Sequence, residues 1–161
     1  FMMRFVRSRS SPFVFGGLIA LALGVLFGLG VFTLSYAKGT AYLSDDPNAC
    51  INCHVMRDQF DAWNRGSHKN VAVCNDCHMP HDFIGKWTTK AINGINHSVA
   101  FTTGNYPETI YAKDFNANIV QGNCITCHAG LVSQVYGYHD DQTRRCVECH
   151  GNVGHENRNL P

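Results

Sequence analysis

The eight cysteines form four copies of Cys-x-x-Cys-His: Cys50/Cys53/His54, Cys74/Cys77/His78, Cys124/Cys127/His128 and Cys146/Cys149/His150. None is left over. Two thiols three positions apart form thioethers to the two vinyl groups of one haem, and the adjoining histidine reaches the iron from the proximal side. A lone Cys-x-x-Cys would equally suit a redox pair or half a zinc site. Four in series, each followed directly by His, point to c-type haem rather than to zinc or structural disulfides. The expectation is four covalently attached haem c groups, with His78, His128 and His150 as proximal ligands of the second, third and fourth.

Five further histidines are candidate distal ligands: His68, His81, His97, His139 and His155. A surface or hydrogen-bonding role is the alternative for each. His68 and His155 lie close to a motif on segments that must wrap haem. His139 sits before the fourth motif much as His68 sits before the second. His81, three residues past His78, stays near its own haem's proximal side.

Positioning these groups falls to an unusual chain. The segment 13–36 is free of charge, and as a helix it extends about 36 Å, enough to cross a hydrocarbon core of roughly 30 Å. Arg4, Arg7 and Arg9 precede it, and Lys38 is the first charge after it. The positive-inside bias predicts a cytoplasmic tail at 1–12, a transmembrane anchor at 13–36 and a domain at 37–161 on the periplasmic side of a bacterial cytoplasmic membrane. A cleaved signal peptide ending near Ser35-Tyr36-Ala37 is the rival, opposed by the length of the apolar run. Gly16, Ala20, Gly24 and Gly28 recur every four residues and offer a face for another transmembrane helix, although glycine is frequent in such helices anyway.

A net charge of +1 with 16% charged residues carries no signature of nucleic-acid binding. Residues 37–161 leave roughly 31 residues per haem, too few for a conventional core around such large groups. The fold class expected is mainly α, a multihaem cytochrome c domain with little regular structure on a single N-terminal transmembrane helix, its folding dependent on haem attachment. The motifs begin 24 residues apart in the first pair and 22 in the second, the pattern of a duplicated dihaem module. The insert between the pairs contains Ile84, Trp87, Ala91 and Ile95 at amphipathic-helix spacing, and is the natural place to look for function.

The first motif runs on to Met56, as Cys50-x-x-Cys53-His54-x-Met56. This extension resembles the NapC/NirT family of membrane-anchored quinol dehydrogenases. Residues 49–56 and 96–102 are similar in particular to its members that serve as small subunits of cytochrome c nitrite reductase. The resemblance covers nearly the whole chain. It implies that Met56 holds the first haem axially, with His54 displaced; the alternative makes Met56 a packing residue and leaves His54 on the iron. It implies Lys90 at a quinol pocket. Relatives often carry an acidic residue seven positions later, where this chain has His97, a group suited to accept a proton near neutral pH. The alternative pairs Lys90 with haem propionates and makes His97 an iron ligand. By the same resemblance His155 completes the third haem and His68 the fourth, and the second takes a partner lysine or His139.

The implied activity is oxidation of a membrane quinol, menaquinol above others. Electrons then pass to a periplasmic multihaem nitrite reductase that performs all the nitrite chemistry. A promiscuous quinol dehydrogenase serving several reductases, and an electron-storage cytochrome without a quinol site, are the alternatives.

Overall fold

The computed structural model describes residues 12–107, 110–136 and 144–155. Arg4, Arg7, Arg9 and His139 lie outside the described residues. Two compact units divide the chain, one running up to Thr40 and the other starting at Ala41.

In the first unit a single helix, α1, spans Pro12–Tyr36. Proline is tolerated in a first helical turn, where its missing N–H would have no intrahelical partner. Apolar residues cover every side of α1 and none of them is buried within the protein. Its mean hydropathy of 2.4 over the most apolar window has the character of a membrane span. An added Cβ at Gly16, Gly24 or Gly28 would meet nothing within 4 Å, so that face of α1 is open. Lys38 adopts a left-handed conformation at φ 50 just beyond the helix end.

The second unit is helical, with no strand among the described residues. After a 3-10 turn at Gly39–Leu43, two more at Pro47–Asn52 and His54–Met56 carry the first motif. Then follow α2 (Arg57–Arg65), α3 (Cys74–His78), α4 (Phe83–Thr103), α5 (Asp114–Cys127), α6 (Ala129–Tyr136) and α7 (Cys146–Cys149). Motif 2 is α3, motif 3 ends α5 and motif 4 is α7. The internal repeat shows in the caps of α3 and α7. Asp76 accepts the backbone N–H of Val73 at 2.8 Å, and Glu148 accepts that of Arg145 at 3.2 Å. Each carboxylate occupies the third position of its motif.

The insert helix α4 has clear boundaries. Asp82 caps its start, accepting from the Gly85 N–H at 2.7 Å, and Gly104 ends it at φ 66, where a side chain would be strained. The apolar stripe of α4 is exposed. Ile84 is 77% exposed and Ile95 65%, whereas Thr89, Lys90 and Asn93 on the opposite side are buried. The polar stripe of α4 faces the protein because partners wait there. Asp45 takes the lysines, and Asn93 exchanges amide hydrogen bonds with Asn116 of α5 at 3.1 and 3.2 Å.

No hydrophobic side chain is buried among the described residues. Polar ties hold the motif elements together instead. Asn75 of α3 donates to Asp45 at 2.6 Å, on the segment leading into motif 1. Asn123 of α5 donates to the carbonyls of Cys77 and Met79, each at 2.9 Å. Gln121 of α5 accepts the Cys146 N–H at 2.8 Å, and Arg145 reaches Asp114 at 2.8 Å. Motif 1 thus adjoins motif 2, motif 2 adjoins motif 3, and motif 3 adjoins motif 4.

Candidate haem and quinol site

All eight motif cysteines lie on or at the ends of the helical elements just described, and none is in a disulfide. Neighbouring motifs also meet through sulfur. A hydrogen bond with Cys74 lowers the Cys50 thiol to about 7 and raises Cys74, while Cys77 is raised by desolvation and then by the charges of Asp76 and Cys127.

Two histidine pairs carry the clearest geometry. The rings of His78 and His155 lie parallel, 5° apart in plane with centroids at 6.1 Å. Those of His68 and His128 meet edge-on, also at 6.1 Å. Two imidazole–metal bonds of about 2 Å each, added to the two ring radii, come to roughly 6 Å, the span of one iron held between two histidines. The hydrogen bonding agrees. A carbonyl can only accept, so His68 Nδ1 donates to Val153 at 2.9 Å and Nε2 is left as the free lone pair. His155 Nδ1 is buried without a hydrogen-bond partner. Burial, and secondarily the adjacent His155, pushes His78 down to about 4, which keeps the imidazole in its neutral, ligating form. Paired cysteines, the lack of a buried hydrophobic side chain among the described residues and facing imidazoles all fit haem c.

These ring pairs differ from the ligand sets that the resemblance implied. His155 faces His78 of motif 2 instead of His128, and His68 faces His128 of motif 3 instead of His150. The physical reason is the backbone route. The stretch after α2 is tied to the C-terminal turn by the His68–Val153 bond, and that turn returns over α3. His150 is exposed and has no ring neighbour among the described residues. His139, expected at the second haem, lies outside the described residues. His81 remains beside its own motif, donating from Nε2 to the Asp76 carbonyl at 3.0 Å. In motif 1, His54 is exposed while Met56 is partly buried.

Lys90 and His97 share the inward face of α4, and both meet the segment before motif 1. The Lys90 side chain is 5% exposed and bridges Asp45 at 2.9 Å and the Ser44 carbonyl at 3.0 Å, with its ammonium 5.3 Å from the Trp87 ring centre. Lys86 pairs with the same carboxylate. Hydrogen bonds from Lys86, Lys90 and Asn75 hold Asp45 well below the usual carboxylate range. His97 Nδ1 lies 2.8 Å from the Tyr42 hydroxyl, and partial burial lowers its pKa. Sequence reasoning missed Tyr42 and Asp45. Neither belongs to a motif or a periodic stripe, and only the fold brings them to α4.

A helical scaffold carrying four haem-attachment motifs and facing histidine pairs defines a c-type cytochrome. Residues 13–118 match the NapC/NirT cytochrome c family, N-terminal region, and the chain belongs to that family. It is 39% identical over 159 residues to the cytochrome c-type protein NrfH of Wolinella succinogenes, covering 92% of this chain and 89% of the relative. To the cytochrome c nitrite reductase subunit NrfH of Nitratidesulfovibrio vulgaris it is 33% identical over 128 residues, 79% and 78% of the two chains. Its fold is similar to a chain of the crystal structure of the cytochrome c nitrite reductase NrfHA complex bound to the HQNO inhibitor. That match has a TM-score of 0.64 and 30% identity, and covers 87% of this chain and 93% of the other.

Proposed function

We propose that this chain is a single-pass tetrahaem quinol dehydrogenase of a bacterial cytoplasmic membrane. It oxidises menaquinol on the periplasmic side and delivers the electrons to a multihaem nitrite reductase that reduces nitrite to ammonium. The observation that carries the reading is the seating of Lys90 and His97 on the segment that runs directly into motif 1. The likeness to two NrfH proteins and to the NrfHA complex supplies the partner.

The cysteine pairs hold the four haems. Met56 would hold the first iron, His78 with His155 the second, and His128 with His68 the third. His150 would serve the fourth, together with His139 or a lysine of the partner. When bound, the haems supply one-electron chemistry and accept the two electrons of a quinol singly. The chain's own residues manage the substrate. Lys90 donates to Asp45 and the Ser44 carbonyl beside the Trp87 ring, and its ammonium would polarise an oxygen of a quinol that enters there. Partial burial lowers the His97 pKa, which favours the neutral ring that accepts the proton this oxygen releases, a general-base contribution of about 10²–10⁴ in rate. The motif-to-motif ties support entry at the first site and exit at the fourth.

Lys90→Met and His97→Ala test the reading. Each should abolish reduction by quinol while leaving four bound haems and full reduction by dithionite. If His97→Ala instead turns a low-spin haem high-spin, His97 is an iron ligand and the proton acceptor lies elsewhere. Association with several reductases would favour the promiscuous alternative, and reduction only by soluble donors the storage cytochrome.

A further inference from the structure

We infer that Tyr42 is a positioning residue for quinol oxidation: its hydroxyl holds the His97 ring through Nδ1 and turns Nε2 toward the substrate. The inference rests on the quinol-site reading of His97. Its basis is the 2.8 Å contact between the Tyr42 hydroxyl and His97 Nδ1, which joins residues 55 apart in sequence. The two rings stand 6.1 Å apart and tilted by 48°, close enough for the phenol to limit rotation of the imidazole. An added Cβ at Gly94, one turn below His97, would meet the Tyr42 ring at 3.7 Å, so one edge of the ring lies against α4.

The hydrogen-bond chemistry assigns the roles. A histidine that takes a proton through Nε2 must carry its own hydrogen on Nδ1, and that hydrogen needs an acceptor. The Tyr42 oxygen is that acceptor. Desolvation by burial raises the phenol above its ordinary range, so it stays un-ionised. The step runs once for each of the two electrons that the haems would take singly: each time one quinol O–H bond breaks as one Nε2–H bond forms. The imidazolium keeps its Nδ1–H bond to Tyr42 and later returns the Nε2 proton to water. The groups facing the pair are few. The Cys50 and Cys53 sulfurs cease to ionise as thioethers, and Lys90, on the same face of α4, is balanced by Asp45.

The test is stopped-flow reduction of the haem-loaded protein by 2,3-dimethyl-1,4-naphthoquinol across pH, comparing wild type, Tyr42→Phe and His97→Ala. Loss of one hydrogen bond to a charged ring should slow Tyr42→Phe by roughly 10- to 100-fold at saturating quinol with little change in KM. The acid limb of its pH profile should move to lower pH, because an imidazolium without its acceptor is a stronger acid. A purely structural role for Tyr42 would leave that limb in place. If His97→Ala collapses the rate while Tyr42→Phe keeps both rate and limb, Tyr42 does not position His97. If His97→Ala itself reacts normally, the quinol-site reading fails and takes this inference with it. Should Tyr42→Phe bind fewer haems, difluorotyrosine at position 42 keeps the ring and alters the acidity of the hydroxyl. A shifted limb then supports the role, and an unmoved one refutes it.

Discussion

Replacing Asp45 with Asn should loosen α4 and with it the quinol site. Asp45 pairs with Lys86 and Lys90 of α4 and accepts from Asn75 of α3. The Lys90 side chain is 5% exposed and the Asp45 side chain 49%. Breaking a fully buried pair by removing one partner costs about 3–5 kcal/mol, and an exposed pair is worth about 0–1. This half-exposed cluster falls between the two. Asn keeps the volume and one acceptor oxygen, and Lys90 keeps the Ser44 carbonyl and the Trp87 face. A loss of about 1–2 kcal/mol follows, a factor of roughly 5–30 in the open population of α4. Hydrogen exchange of the α4 amides in the haem-loaded, detergent-solubilised protein measures it directly. The expected result is exchange faster by that factor around Lys86–Lys90, with slower reduction by quinol and unchanged reduction by dithionite. Unchanged α4 exchange would refute the reasoning, since it would mean that the buried ammonium does not need its carboxylate.

His155→Ala and His68→Ala should each convert one low-spin haem to high spin with all four haems still attached. Electron paramagnetic resonance should assign the change to the second and third haem respectively, and loss at the fourth haem in His68→Ala would contradict the observed ring pairs. Asp82→Ala removes the cap on the Gly85 N–H and should lower stability by about 0.5–2 kcal/mol. An unchanged thermal midpoint would show that the start of α4 is held by other contacts.

Local features were legible in the sequence and distant ones were not. The haem-attachment motifs and the apolar helix are contiguous, so their chemistry can be read without knowing the fold. An apolar helix at Pro12–Tyr36 occupies the segment where the anchor was expected, 13–36. The insert helix was evident from its spacing, yet its orientation was not. Amphipathic patterning marks two faces, and the usual inference buries the apolar one. Here the polar face turns inward because Asp45 and Asn116 receive it. The histidine pairs join residues 77 and 60 positions apart, His78 with His155 and His68 with His128. No local pattern encodes such contacts. Proximity to a motif singled out His68 and His155 as candidate ligands, but which motif each faces is set by the distant backbone. The Tyr42–His97 contact was hidden for the same reason.

The most direct test of the account is reconstitution. Proteoliposomes would hold menaquinol and the haem-loaded chain, with a separately purified catalytic subunit of cytochrome c nitrite reductase added outside. The account predicts that ammonium forms from nitrite, with quinol oxidised in proportion, only when this chain is present, and that Lys90→Met stops both. Equal ammonium formation without the chain, or haems that dithionite reduces and menaquinol leaves oxidised, would contradict it.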